Sequence, residues 1–331
     1  MFSVLAIIHT IIAKDVKHTM ADIPKPDKIQ TKRVELSVVV RRRAWKEGRK
    51  EIKLYPQNPS LKYARIGLMT SCDTWNRQCC FLPKKDSEMR QWDDAAESWV
   101  DFVRQGKDYY RDELNNPAAF RLIGNVKGQL VLDLACGEGY NTRILARKGA
   151  RVTGADFSAR LIGLARIEEA KERLGIDYRV SDAADLSEFS GNCFDLVTCF
   201  MALQDIKNYE RAVSEVARVL KNRGRFVFSI PHPCFEMVVD KGNRISTTTR
   251  YFGTAEDHIR WKMERLLKPF ETTSFHRILT NYFSVLHKNR LLIRRLVEPQ
   301  PTKQGIKKHP PLKEVLLRPQ SVVIEAVKEP I

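Results

Sequence analysis

The strongest chemical signal in this 331-residue sequence is a carboxylate followed by two closely spaced glycines. Residues 130–142 read Leu-Val-Leu-Asp-Leu-Ala-Cys-Gly-Glu-Gly-Tyr-Asn-Thr, so an apolar run gives way to small residues. This order predicts a buried strand, a tight turn and the first turn of a helix. Because Gly137 and Gly139 carry no side chain, bare backbone N–H groups and a helix N-terminus could approach a ligand there.

Further carboxylates follow the next predicted strands. Asp156 closes the second apolar run, 23 residues after Asp133, and Asp182 follows the third. In a parallel sheet these strand ends meet at one edge, where ligands bind. A carboxylate at the second strand end can accept hydrogen bonds from two ribose hydroxyls, and Phe157 beside it could pack on an adenine. The pattern therefore favours an adenosine-containing ligand.

Two cofactor classes use such a glycine turn, dinucleotides and S-adenosylmethionine. The dinucleotide fingerprint requires a third glycine, but Thr142 stands at that place, which argues against a nicotinamide oxidoreductase. The stretch resembles motif I of class I S-adenosylmethionine-dependent methyltransferases, in which an acidic residue precedes alternating small residues, here Asp133, Ala135, Gly137 and Gly139. Ala135 stands where that family usually has glycine, and alanine is also small.

The resemblance covers roughly residues 92–327 and is closest to the small-molecule, ubiquinone/menaquinone-biosynthesis-like group. It implies S-adenosylmethionine as cofactor and methyl transfer to a small-molecule acceptor by in-line displacement. The residues that it assigns to the cofactor lie at four successive strand ends: Asp133, Ala135, Cys136, Gly137, Gly139, Asp156, Phe157, Asp182, Ala183 and Phe200.

Candidate groups for the acceptor come later in the chain. His232 and His276 are candidate general bases, because imidazole titrates near neutrality and an acceptor could have to lose a proton. Candidate acceptor contacts are Tyr109, Gln204, Asp205 and Arg277. A purely structural role is the alternative for each of these residues. The segment after the fourth strand, Phe-Met-Ala-Leu-Gln-Asp, lacks the Asn/Asp-Pro-Pro-aromatic run of enzymes that methylate exocyclic amines of nucleic-acid bases.

These groups require an α/β framework. Predicted strands alternate with predicted helices, which indicates a parallel sheet with right-handed crossovers. We expect a Rossmann-like, mostly parallel seven-stranded sheet with helices on both faces and a C-terminal antiparallel strand. The predicted strands are residues 130–134, 151–155, 178–181, 194–200, 225–230, 292–297 and 322–327. A helix capped by Ser158 should follow the second strand, and another should span residues 209–220.

The chain divides by pattern near Met89. Residues 1–88 lack a sustained period, and we interpret them as a basic, disordered or poorly structured extension that the functional domain does not need. Residues 89–331 form the predicted methyltransferase domain. Within it, residues 89–127 are expected to be helices that cap the cofactor pocket. Residues 231–290 exceed a simple crossover and are predicted to cover the substrate.

Charge and cysteines limit the partners. The formal net charge is +17, but residues 89–230 hold 21 basic and 21 acidic side chains, which argues against a nucleic-acid groove on the cofactor domain. RNA methylation assisted by the basic ends remains an alternative, as does a non-catalytic S-adenosylmethionine-binding module. Seven scattered cysteines without a Cys-x-x-Cys pair predict reduced thiols, a cytoplasmic protein and no metal site. No membrane span is expected, and oligomeric state is left open.

Overall fold

The protein is described by a computed structural model. It describes residues 51–52, 66–67, 87–235, 237–240, 243–246, 251–262 and 266–330. The chain divides into two compact units, Met1–Leu82 and Pro83–Ile331. In the first unit, Glu51–Ile52 pairs antiparallel with Ile66–Gly67. The prediction that residues 1–88 are poorly structured otherwise falls on residues outside those described.

The second unit alternates strands and helices. Its described strands are, in chain order, β1 Leu130–Leu134, β2 Arg151–Asp156, β3 Asp177–Val180, β4 Phe194–Phe200, β5 Leu220–Pro231, β6 Met237–Asp240, β7 Asn243–Ser246, β8 Ala255–Trp261, β9 Phe270–His276, β10 Leu291–Val297 and β11 Ser321–Lys328. Its described α-helices are α1 Ser87–Arg104, α2 Asn116–Ile123, α3 Tyr140–Arg147, α4 Ala159–Glu172, α5 Tyr209–Val219, α6 Leu279–Lys288 and α7 Lys303–Lys308. A π-helix spans Arg111–Asn115, and a 3-10 turn spans Leu203–Asp205.

Seven of the strands form one sheet in the order β10-β11-β5-β4-β1-β2-β3. Strands β1 to β5 are paired in parallel, and β11 is antiparallel to both of its neighbours. This arrangement confirms the predicted fold, including the antiparallel strand at the C-terminal end. It also brings the carboxyl ends of β1, β2 and β4 to one edge of the sheet.

Helices cover both faces of the sheet. Alternate residues of each strand point to opposite sides, so each strand contributes buried residues to both faces. On one face, Leu132 belongs to a buried cluster that includes Val213 of α5 and Tyr282 of α6. On the other face, Val131 belongs to a cluster that includes residues of α2 and Leu145 of α3. The apolar runs in the sequence therefore reflect strands that are buried on both sides.

Several boundaries differ from the sequence prediction. Strand β5 begins at Leu220, five residues before the predicted start, because a register shift against β4 lets the turn before it join the strand. The spacing of Phe275, Ile278, Leu279, Tyr282 and Leu286 predicts one amphipathic helix, but α6 begins at Leu279 and Phe275 lies on β9. The proline- and lysine-rich segment after β10 contains α7 and a 3-10 turn, Pro310–Leu316. Apolar spacing alone did not distinguish these local arrangements.

The region predicted to be an insertion holds two antiparallel hairpins, β6–β7 and β8–β9. The second hairpin packs against α1, where the Thr273 hydroxyl donates to Oε1 of Gln91 at 3.0 Å. The Trp99 and Trp261 rings also meet, with centroids 6.1 Å apart. Helix α1 and the hairpin thus form one wall above the carboxyl edge of the sheet.

Candidate functional site

A cavity of about 800 Å³ lies at the carboxyl edge of the sheet. Gly137, Asp156 and Asp182, which follow three different strands, all line it. The other predicted cofactor residues that line it are Asp133, Ala135, Cys136, Phe157, Ala183 and Phe200. The predicted acceptor residues that line it are Tyr109, Gln204 and Asp205. Groups far apart in sequence thus line one cavity.

The glycine turn exposes backbone to this cavity. Gly137 has φ +58°, and a Cβ atom built on it would meet no atom within 4 Å. Its N–H donates to Oδ2 of Asp156 at 2.9 Å, which joins the turn after β1 to the end of β2. A side chain at this position would require an unfavourable backbone conformation and would occupy open space beside the cavity.

Gly139 has a different role from the one that the sequence motif implied. It is not among the residues that line the cavity. Its φ is +80°, and a Cβ atom there would lie 2.1 Å from Oη of Tyr178. The glycine therefore lets the start of α3 pack closely against β3, and it acts through packing rather than by contact with the cavity.

Asp133 is held rigidly beneath the turn. Its side chain is 1% exposed, the Thr142 hydroxyl donates to Oδ2 at 2.6 Å, and the Thr198 hydroxyl donates to Oδ1 at 2.7 Å. Burial raises the pKa of Asp133 from 3.8 to about 6. Thr142, which breaks the dinucleotide pattern, thus supports the carboxylate that begins the turn.

Asp156 is also buried, and it connects the turn with α4. Its Oδ1 accepts the N–H of Ser158 at 2.9 Å, and burial raises its pKa from 3.8 to about 6. Each carboxylate oxygen accepts one backbone hydrogen bond and keeps a second lone pair for a ligand. Asp182 is exposed and accepts the N–H of Ala184 at 2.9 Å, so it shapes its own turn while it lines the cavity.

Gln204 presents a polar atom on the acceptor side. Its side chain is 7% exposed, and its Nε2 donates to the carbonyl of Met201 at 2.7 Å. Its buried Oε1 has no hydrogen-bond partner among the described residues. An acceptor oxygen left in this state costs free energy unless a ligand or water donates to it.

Arg277 supports the loop that carries Gln204. The side chain is 5% exposed and does not belong to the cavity lining. Its guanidinium stacks on Tyr209 at 4.0 Å and donates to four carbonyl oxygens, those of Leu203, Gln204, Ile206 and Lys207. The structure thus pairs this arginine with backbone carbonyls, where the sequence suggested a contact with the acceptor.

The structure does not bring the two candidate bases into the cavity lining. His232 is 5% exposed, and its Nε2 lies 2.9 Å from Oε1 of Glu298. His276 is 6% exposed, and its Nε2 lies 3.0 Å from the carbonyl oxygen of Tyr251. Both rings are held by partners that the sequence could not identify, because those partners come from other parts of the fold.

An aromatic wall that the sequence did not predict borders the cavity. Trp92, Trp99 and Phe102 of α1 line the cavity together with Trp261 of β8. The spacing of Trp92 and Trp99 predicts that they share one helix face, but it does not show that this face meets a hairpin and borders a cavity. Glu88, in the first turn of α1, also lines the cavity.

Within the described part of the chain, no group of three or more His, Cys, Asp or Glu side chains could hold a metal ion. Across the same residues, no helix combines the length and apolar character that a membrane span requires.

Comparisons with known proteins show similarity to methyltransferases. A family model described as a methyltransferase domain matches residues 132–228. The ubiquinone biosynthesis O-methyltransferase of Coxiella burnetii is 31% identical over 145 residues, which is 43% of this chain and 60% of that protein. The protein of the same name from Alkalilimnicola ehrlichii is 30% identical over 145 residues, covering 44% and 59% of the two chains. The match thus spans about three fifths of the length of these curated relatives.

A solved structure extends the similarity. The S-adenosylmethionine-dependent methyltransferase of Mesorhizobium loti superposes with a TM-score of 0.54 at 28% identity. That superposition covers 64% of this chain and 96% of the other. The likeness therefore includes nearly all of the solved protein.

Proposed function

We propose that the chain is a class I S-adenosylmethionine-dependent methyltransferase and that it transfers a methyl group from S-adenosylmethionine to a small-molecule acceptor. The observation that carries the proposal is that Gly137, Asp156 and Asp182 line a single cavity. The O-methyltransferase names of the curated relatives favour an oxygen atom as the acceptor group.

The residues present fit this cofactor. Asp156 can accept hydrogen bonds from ribose hydroxyls, and Asp182 and Phe157 can contact the adenine. Glu138, in the glycine turn, also lines the cavity, and its Oε2 accepts from the Arg143 guanidinium at 2.9 Å. We place the ammonium group at the methionine end of the cofactor beside this carboxylate. Gly137 leaves room for that part of the cofactor.

When bound, the cofactor supplies a methyl group on a positively charged sulfur, which is already a good electrophile. The protein then has to orient the acceptor and exclude water. Orientation alone can contribute about 7–11 kcal/mol in favourable cases. Phe200, at the end of β4, and the Arg277-supported loop after it line the side of the cavity where we place the acceptor.

We place the covering elements of the domain in the same proposal. Helix α1 and the β8–β9 hairpin supply Trp99 and Trp261 to the cavity, so these elements would cover the acceptor and exclude water. Helix α1 begins at Ser87, two residues before the boundary that the sequence suggested. Residues before it would not contribute to the reaction.

A two-step experiment on the full chain tests the function. First, calorimetric titration with S-adenosylhomocysteine should show binding at one site. Second, incubation with methyl-labelled S-adenosylmethionine and a fractionated cell extract should place the label in a small-molecule fraction. Absence of cofactor binding would refute the proposal. Binding without transfer would favour a non-catalytic module, and label that ribonuclease releases from RNA would favour RNA methylation.

A further inference from the structure

The carboxylate of Glu138, in the glycine turn, meets two arginines that come from different helices. We propose that Arg143 and Arg104 are positioning residues for the cofactor: Arg143 fixes the glycine turn, and Arg104 ties the covering helix α1 to that turn. Together the two ion pairs slow the release of the bound cofactor or its product. This inference rests on the proposed function and specifies how the chain retains its cofactor. Neither arginine lines the cavity, so both act through Glu138.

Arg143, near the start of α3, is the inner of the two arginines. Its side chain is 8% exposed. Its Nη1 donates to the backbone carbonyl of Glu138 at 2.7 Å, and its Nη2 donates to Oε2 of the same residue at 2.9 Å. Its backbone N–H also donates to the Gly139 carbonyl at 3.0 Å. Arg143 thus binds the glycine turn at three atoms, and charge-assisted bonds of this kind are the strong ones.

Arg104, in the last turn of α1, is the outer arginine. Its Nη2 lies 3.4 Å from Oε2 of Glu138, and its Nη1 lies 3.2 Å from Oε1 of Glu168 on α4. The Arg104 side chain is 38% exposed, whereas that of Glu138 is 3% exposed. The pair therefore joins an accessible residue of the covering helix to a buried residue of the glycine turn.

The apolar contact between α1 and α4 is small. The buried cluster that the two helices share consists of Ala96, Val100 and Leu161, with Trp92 and Leu164 beside it. The clusters on the two faces of the sheet are much larger. An element with few buried apolar contacts opens locally at a lower free energy than the rest of the domain. An ion pair at the end of α1 can therefore change how often this helix opens.

The position of this ion pair connects the opening of α1 to the ligand. Helix α1 contributes Trp92, Trp99 and Phe102 to the cavity lining, and the glycine turn contributes Gly137 and Glu138. A ligand that contacts the turn is thus covered by a helix that is bound to the same turn. Loss of the Arg104 pair should leave the cavity intact but let the ligand leave faster.

The release rate of S-adenosylhomocysteine tests the role of Arg104 on the full chain. Surface plasmon resonance should show dissociation about two- to fivefold faster from Arg104→Gln, the range expected for a partly exposed ion pair. Arg179→Gln is the matched control, because Arg179 is 39% exposed, pairs with Asp177 and Glu188, and does not line the cavity. An unchanged release rate in Arg104→Gln, or an equal increase in both variants, would overturn the inference.

Two further measurements distinguish coupling through Glu138 from a merely structural ion pair. In a Glu138→Gln background, Arg104→Gln should change the release rate little, because the pair is already lost. A full effect in that background would show that Arg104 acts through Glu168 instead. In about 1 M salt the screening length falls to about 3 Å, so release from the unaltered protein should approach that from Arg104→Gln. An equal salt response of the two proteins would contradict the proposal.

Arg143→Met tests the inner ion pair. It should weaken S-adenosylhomocysteine binding by at least about tenfold, because it leaves a buried carboxylate and a carbonyl of the turn without their donor. Arg218→Met is its control, since Arg218 likewise donates to two carbonyls, of Leu186 and Phe189, and to the Glu215 carboxylate, away from the cavity lining. Equal loss of affinity in both variants would refute a specific role for Arg143.

The unaltered protein separates failure of this inference from failure of the proposed function. If it binds S-adenosylhomocysteine and the variants do not follow the expected pattern, only the positioning role is wrong. If it does not bind S-adenosylhomocysteine, the proposed function itself fails. Should Arg143→Met fail to fold, the more exposed Arg104 and its control decide the inference alone.

Discussion

Replacing Asp156 with asparagine should weaken cofactor binding while it changes folding stability little. Two effects on stability oppose each other. Burial raises the pKa of Asp156 from 3.8 to about 6, so keeping it ionised near neutral pH costs about 3 kcal/mol, which asparagine relieves. Asparagine retains only one of the two acceptor oxygens that now bind the N–H groups of Gly137 and Ser158, and a lost charge-assisted bond costs about 1.5–3 kcal/mol. The net change in unfolding free energy should therefore be under about 2 kcal/mol.

Cofactor affinity has no such compensation. In the proposed complex, ribose hydroxyls donate to the Asp156 carboxylate. In Asp156→Asn, one hydroxyl would lose its acceptor oxygen and face the asparagine NH₂ group, which is itself a donor. The same cost of about 1.5–3 kcal/mol corresponds to affinity that is about 10- to 150-fold lower. Calorimetric titration with S-adenosylhomocysteine measures the affinity, and denaturant unfolding without ligand measures stability.

Asp195 offers a matched control. Its Oδ2 also accepts a backbone N–H, that of Leu130 at 2.8 Å, but Asp195 is not among the residues that line the cavity. Asp195→Asn should leave cofactor affinity unchanged. If Asp156→Asn binds S-adenosylhomocysteine as tightly as the unaltered protein, the ribose assignment is wrong. If both variants lose affinity together, the effect reflects general destabilisation of the sheet.

Three further predictions concern the same site. Gly137→Ala should cost about 1–2 kcal/mol of stability because of its positive φ, and should lower cofactor affinity by at least about tenfold in calorimetry; unchanged affinity would contradict the proposed approach of the ligand. Because burial raises the pKa of both Asp133 and Asp156 to about 6, their contribution to the stability of the ligand-free protein should be complete below about pH 4 and lost as the pH rises through 6. Cofactor affinity should change in the opposite direction, and scanning calorimetry with and without S-adenosylhomocysteine checks both trends; Asp156→Asn should flatten them. Arg277→Met should lower stability by about 2–4 kcal/mol, since it leaves buried carbonyls unpaired, and chemical denaturation would show no loss if the contacts were incidental.

The sequence by itself determined the sheet and the groups that the proposed cofactor site offers. Apolar runs that end in Asp133, Asp156 and Phe200 predicted parallel strands, and the carboxyl ends of parallel strands share an edge. The glycine turn could be predicted because its signal is local. Within thirteen residues the sequence combines a strand, a conformational requirement for glycine and the start of a helix. Such features depend on nearest neighbours along the chain, so the sequence contains all of them.

Only the tertiary structure decided which other side chains reach the cavity. Trp261 and Glu88 line it because a hairpin and the start of α1 pack over the sheet edge, whereas His232, His276 and Arg277 are held by partners elsewhere. These outcomes depend on contacts between segments that are many residues apart, and the identity of one residue does not specify the direction of its side chain. Even Gly139, correctly placed within the motif, proved to be required for packing against Tyr178. Residue type and local order thus predicted the groups available for cofactor chemistry, and long-range packing selected the surroundings of the acceptor.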